Sequence, residues 1–372
     1  MTVARNFGSL IFVVIAVLLV ASNNPIGGVR AFTTAKPSAP LPPTRDQAPI
    51  RRKNNAPSQR GKELICRFAW PVGRDPKGIS SDYPLTVTRI GVTVGACYLT
   101  WFVQGQYSNV LASSALTLIC SMVFDRRLGQ AAFCGSFAGM CSTAIIPTKN
   151  LAVILGLATS LSYEILIHGS NAFWGIGGRL GLTAFVATSA VALKNGIRTG
   201  LARYRFAGGS RTLALSARSW EHTLLPWAMW HALGSVATIV LREMSDDSAA
   251  ADPVRASAVV GLAAALLLND KTAALAVYGG SFTGMSLPSK LMSLPDSSQQ
   301  LTITNVISLL LTFGVAGAFG GIVHGATIEW RLWSGGWGGK AGICAFVGCM
   351  AYRVLVTGTL GTIRRSDRTR TR

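Results

Sequence analysis

Charge is scarce in this chain of 372 residues: Asp, Glu, Lys and Arg make up 13% of it, against about 25% in a soluble domain. Acids are scarcest, 15 against 35 Lys and Arg, for a net charge of +20. Several chemistries are excluded by what is missing. The seven cysteines (66, 97, 120, 134, 141, 344, 349) form no CxxC and no Cys/His set with zinc spacing. They read as small residues filling helix interfaces. There is no HExxH, no pair of membrane aspartates, no phosphate-binding loop and no dinucleotide fingerprint. The expectation is a protein that is not an enzyme and holds no cofactor or metal; any transport is passive or driven by an ion gradient. The basic excess does not point to nucleic acid, because the cations lie in the leader, the loops and the tail. Nine of them, with one acid, fall in residues 1–62.

What is present is apolar: 49% of the chain is hydrophobic. Ten apolar segments follow the leader, at 88–105, 108–124, 128–146, 150–167, 178–193, 224–241, 254–269, 272–290, 301–323 and 339–356. The expected fold is all-α, a polytopic membrane protein of about ten transmembrane helices in contact with the lipid bilayer.

The segments carry landmarks that occur twice in the same order. Cys134-Gly135-Ser136-Phe137-Ala138-Gly139-Met140 matches Gly279-Gly280-Ser281-Phe282-Thr283-Gly284-Met285. Each is followed by Pro-hydroxyl-Lys, at Pro147-Thr148-Lys149 and Pro288-Ser289-Lys290. Gly177-Gly178-Arg179-Leu180-Gly181 matches Gly338-Gly339-Lys340-Ala341-Gly342, and His168-Gly169 and His324-Gly325 precede these. Asp125-Arg126 matches Asp270-Lys271, and Pro84 matches Pro226. The expectation is an internal duplication. Five spans per half is an odd number, so the second half enters from the opposite side and the repeats are inverted. The boundaries follow as repeat 1 at 81–193, a basic connecting loop at 194–223, repeat 2 at 224–358 and a basic tail at 359–372. Lys and Arg counted by side place both termini on the stromal or cytosolic face. This layout resembles that of urea-transporter-like channels, which use two inverted five-span halves. Their Leu-Pro-x-x-Thr-x-Pro-Phe motif is absent, so no residue roles are carried over.

The leader has Arg5, an apolar run at 10–21, and Arg30-Ala31-Phe32-Thr33-Thr34, followed by a basic stretch rich in Pro and hydroxyls. The run is about the length of a signal-peptide core. These features resemble the two-part plastid presequence of algae with secondary plastids, such as diatoms. The resemblance implies a signal peptide at 1–31, a transit peptide and basic linker at 32–80, and a plastid membrane. The alternative is an ordinary secretory signal and the secretory-pathway or plasma membrane.

Gly135 and Gly139, Gly280 and Gly284, Gly177 and Gly181, and Gly338 and Gly342 are pairs four apart, which let helix backbones approach. The sharper alternative is a broken helix at 279–288, exposing backbone groups that survive at membrane depth only inside protein or beside a wet cavity. Ser136 and Ser281 would then add hydroxyls to a polar path. Arg179 and Lys340 each open the last helix of a half. There the helix dipole and a cation converge on an anion, or the side chain simply snorkels. Glu164 lies within a span, four residues before His168; the two form either a proton-coupling pair or a satisfied boundary pair. His324 reads as an interface histidine, and His222 and His231 stand without a constellation. A serine protease built from Ser281 and His324 is set aside, because the Gly-Ser-Phe stretch occurs in both halves. The resulting expectation is a plastid channel or secondary transporter for a small solute, an inorganic anion first. The alternative is a non-transporting scaffold or assembly factor. Assembly into a homo-oligomer is compatible with either.

Overall fold

The computed structural model describes residues 83–169, 173–194, 219–243, 252–292, 303–333 and 335–370. The leader, the 194–223 loop beyond Lys194 up to 218, and the side chains of the tail lie outside the described residues. The described residues form helices: α1 (Tyr83–Val103), α2 (Asn109–Val123), α3 (Arg126–Gly139), α4 (Lys149–Tyr163), α5 (Arg179–Lys194), α6 (Leu225–Glu243), α7 (Pro253–Leu267), α8 (Lys271–Gly284), α9 (Pro288–Leu291), α10 (Ile303–Glu329) and α11 (Lys340–Arg370). A π-helical turn, Glu164–Gly169, extends α4, and another, Trp220–Leu224, leads into α6.

Apolar composition drives these helices, and side chains fix where they begin. Ser108, Asp125, Thr148, Asp252 and Asp270 each accept a bond from a backbone N–H in the first turn that follows. Each such cap contributes about 1 kcal/mol. Matched capping is visible at α2 and α7 and at α3 and α8, whose lengths are also paired: 15 and 15 residues, then 14 and 14.

Each of the ten apolar segments contains a helix. Among the described residues four helices are long and apolar enough to cross a membrane: Leu85–Val103, Lys149–His168, Trp220–Glu243 and Thr304–Glu329. At 1.5 Å per residue, α3 and α8 reach only ~21 Å against a hydrocarbon core of ~30 Å. They stop at Gly139 and Gly284, well short of the expected 146 and 290. Nor is α8 broken at Gly279-Gly280; it runs unbroken to Gly284, and Pro288 opens the separate α9.

Large apolar side chains point outward: Val123 is 71% exposed, Met122 68% and Leu266 66%. Small and hydroxylic residues point inward, with Thr93, Thr100, Ser113, Thr117, Thr159, Ser235, Thr238 and Ser257 fully buried. Large apolar residues such as Phe133, Leu155 and Phe313 are buried beside them, so the interior is mixed while the outward face carries large apolar side chains. This arrangement suits helices held by close packing and hydroxyl bonds within lipid. Gly135 and Gly139 of α3 press on the α1 backbone at Thr93 and Cys97. Gly280 and Gly284 of α8 press on the α6 backbone at His231 and Ser235. Helices α5 and α11 cross where Gly181 meets Gly342, so closely that a Cβ on Gly181 would lie 2.5 Å from the Gly342 Cα.

Candidate functional site

The ends of α3 and α8 are finished by residues from elsewhere in the chain. Gln104 donates through Nε2 to the carbonyls of Gly139 (3.0 Å) and Cys141 (2.5 Å). Arg242 donates through Nη1 to the carbonyls of Gly284 (2.5 Å) and Ser286 (3.0 Å). The two side chains thus serve matched carbonyls. Each end also meets the loop that precedes the other half's last helix. Ser142 N–H donates to Gly336 O at 2.9 Å, and Leu287 N–H donates to Gly175 O at 2.8 Å. Gly177 seats on Phe282 and Thr283, while Gly338 seats on Phe137 and Ala138. Both loops turn into their helices through glycines at positive φ, 80° at Gly178 and 77° at Gly339, where a side chain would be strained. These contacts are reciprocal throughout.

Four aromatic rings fill the space between α3 and α8. Phe137 meets Phe282 at 4.4 Å between centroids; Phe133 meets Phe282 at 5.9 Å and Phe137 meets Tyr278 at 5.8 Å. The pairs run antiparallel, 133 with 282 and 137 with 278. Tyr278 is fully buried, lies against Gly261, where a Cβ would overlap its ring, and bonds Ser113 through its hydroxyl at 3.2 Å.

Of the expected site residues, Ser136 and Ser281 lie beside this centre. Ser136 is fully buried and bonds Ser113 (3.0 Å) and Thr117 (2.9 Å). Ser281 is fully buried and bonds Ser257 at 2.7 Å. The serines face α2 and α7, and Tyr278 links the Ser136 network to α8. Arg179 and Lys340 are half-buried at the starts of α5 and α11. The Lys340 ammonium donates to Leu332 O at 3.0 Å. Lys290 lies over the Trp174 ring at 5.5 Å.

Glu164 finds its partner in Arg89, from α1. The guanidinium donates through Nε to Oε1 at 2.7 Å and through Nη2 to Oε2 at 2.8 Å, a two-point fork. His168 sits exposed nearby, edge-on to Tyr163 at 5.5 Å. The sequence carried a signal for this pair, an arginine inside the first apolar run.

His231 is a correction: it has a partner. Its Nε2 lies 3.1 Å from Nδ1 of His324, and Trp227 packs on the His324 ring at 4.2 Å between centroids. Two expected matches also move. Gly135 and Gly280 align Thr93 with His231, four residues away from the register that pairs Pro84 with Pro226. Gly156 packs on Val94 and Cys97, and Gly317 on Ala232 and Ser235, which aligns Tyr163, not His168, with His324. No family model, curated protein or solved structure matches this chain.

Proposed function

We propose that this protein is a channel or secondary transporter for a small solute, built from two inverted repeats and residing in a plastid membrane. The observation that carries this reading is the pair of 14-residue helices, α3 and α8, that end inside the fold on matched carbonyls served by Gln104 and Arg242. Helix ends at membrane depth are tolerated where protein or a cavity satisfies them, and transporters place their sites there. The antiparallel aromatic contacts and the exchanged loops support an inverted relation between the halves.

An inorganic anion is the solute class that fits best. Arg179 and Lys340 bring basic side chains to the starts of α5 and α11. Arg179 and Lys340 each sit where a helix start adds its own partial positive charge. In this packing Phe133, Phe137, Tyr278 and Phe282 close the route between α3 and α8, and conduction requires that they part. Anion flux into proteoliposomes tests the reading. Wild type should conduct, Arg179→Gln and Lys340→Gln should each reduce flux, and Phe137→Ala with Phe282→Ala should raise it. Conduction unchanged by either cation substitution rejects the anion route. A reporter fused behind residues 1–80 that fails to enter plastids rejects the location.

One observation favours the scaffold instead: Lys340 is already engaged with Leu332 O and the aromatic cluster is tightly packed. A folded protein that moves no anion or neutral solute from a broad panel, with or without a proton gradient, favours that reading.

A further inference from the structure

The histidine pair lies apart from the aromatic centre, and space has been cleared for it. His231 is fully buried and His324 is 2% exposed. A Cβ on Gly279 of α8 would lie 2.7 Å from Cε1 of His231, and one on Gly320 of α10 would lie 3.5 Å from its Nδ1. At the matched positions of the first half stand Cys134 and Thr159, with Thr93 and Tyr163 in place of the two histidines. The same packing without glycines there houses no imidazole.

The pair is also incompletely bonded. One N–H···N link joins the rings, and Nδ1 of His231 is buried with no partner. In the tautomer where His231 donates from Nε2, Nδ1 is a bare lone pair. Ionisable groups inside a membrane span are rare and mark proton or solute pathways. The groups that face the pair are few. From α6 comes Trp227; from α8, Gly279 and Gly280; from α10, Gly317 and Gly320. From α11 come Lys340, within electrostatic reach of His324, and Cys344, which bonds Thr327 beside it. Among the described residues, no carboxylate is with them. Glu329, further along α10, is engaged by Ser219 and Thr223.

We propose that His231 and His324 form a proton-binding site whose occupation loosens the packing of α6 against α8 and α10. The proton comes from water and adds to Nδ1 of His231, and the Nε2–H···Nδ1 link to His324 becomes charge-assisted. In the packing described here Nδ1 of His231 has no acceptor within reach, so an added N–H there is satisfied only where water reaches it. An imidazole reached by water takes up a proton near pH ~6.5. Acid therefore favours the loosened form: below that pH, each unit shifts the balance toward it by up to about tenfold per proton bound. The site is independent of which solute is carried, so its failure and that of the transport reading are separable.

The experiment is a ¹⁵N-histidine NMR titration of the full chain in lipid nanodiscs, with amide hydrogen exchange of α6 measured in parallel. The chain has four histidines, assigned by single His→Gln substitutions. The expected result is uptake of one proton shared by His231 and His324 between pH 7.5 and 4.5. It should be lost in His231→Gln and in His324→Gln, with His168 and His222 unaffected. Exchange in α6, corrected for its intrinsic pH dependence, should stay level above about pH 6.5 and rise by up to about tenfold per pH unit below it, in wild type only. Two rings that stay neutral at pH 4.5 in a chain of unchanged helicity overturn the proposal. So does uptake without faster exchange. If a His→Gln variant does not fold, the wild-type titration and exchange decide alone. Flux measured on the same protein bears on the transport reading, whatever the titration shows.

Discussion

Residues 83–194 and 219–370 have helices of matched length and matched close contacts, and differ in their polar chemistry. In the first, α1 and α4 are joined by Arg89 and Glu164, an ion pair bonded at two points. In the second, α6 and α10 are joined by His231 and His324, a neutral link that leaves a nitrogen unpaired. At the helix ends the contrast reverses: neutral Gln104 serves the first half and charged Arg242 the second, on matched carbonyls. Close backbone contact therefore sets the fold, and the polar residues at matched positions are free to diverge. The first half is pinned by charge; the second holds a group that can change its charge.

The largest expected effect tests what the halves share. Gly181→Val and Gly342→Val place side chains where the two backbones touch. Each should remove most folded protein, read as loss of the monodisperse species in detergent, because overlap with backbone has no cheap relief. Next comes the ion pair. Arg89→Ala leaves Glu164 without its guanidinium and should cost about 1.5–3 kcal/mol, since the pair is only part-buried. The double variant Arg89→Leu/Glu164→Leu should recover much of that loss in denaturant titrations. A double variant as unstable as the single would show that the pair does more than cancel its own charges. The smallest effect separates the serines. Ser136→Ala loses two hydroxyl partners and Ser281→Ala one. The expected losses are about 1–2 and about 1 kcal/mol, measured by thermal unfolding. Equal losses would mean that the chain through Tyr278 adds nothing.

The helical fold and several close glycine contacts were legible in the sequence, and much of the chemistry was not. The Gly-Ser-Phe and Gly-Gly-cation stretches are runs of several residues, and glycine at fixed spacing states a steric requirement directly. Gly135, Gly139, Gly280 and Gly284 pack on a helix of their own half, whereas Phe137 meets Phe282 and Gly181 meets Gly342 across the halves. The apolar runs at 128–146 and 272–290 exceed their helices, because apolar residues continue past Gly139 and Gly284 into a partly buried turn, and α9 opens anew at Pro288. The Pro84 and Pro226 match misled because proline marks where a helix bends or begins. Pro84 lies in the first turn of α1, whereas Pro226 follows a π-helical turn. The contacts place the register one helical turn away. Gln104, Arg242, Tyr278 and the histidine pair left no pattern to find, since each is a single residue whose partner lies 35 to 165 positions distant. Arg89 was visible as a cation in an apolar run, but its acid partner is 75 residues off.

The exchanged loops bear on how the chain is made. The end of α3 is completed by the loop at 335–339, and Ser142 is bonded by its side chain to a carbonyl 193 residues later. At ribosomal speeds of about 5–20 residues per second, that partner arrives roughly 10–40 s after α3 has been synthesised. For that interval the first half sits in the bilayer with an unfinished helix end and half of its aromatic cluster. Such a chain depends on the insertion machinery to shelter it, and a truncation anywhere before residue 340 leaves a fragment that cannot close on itself.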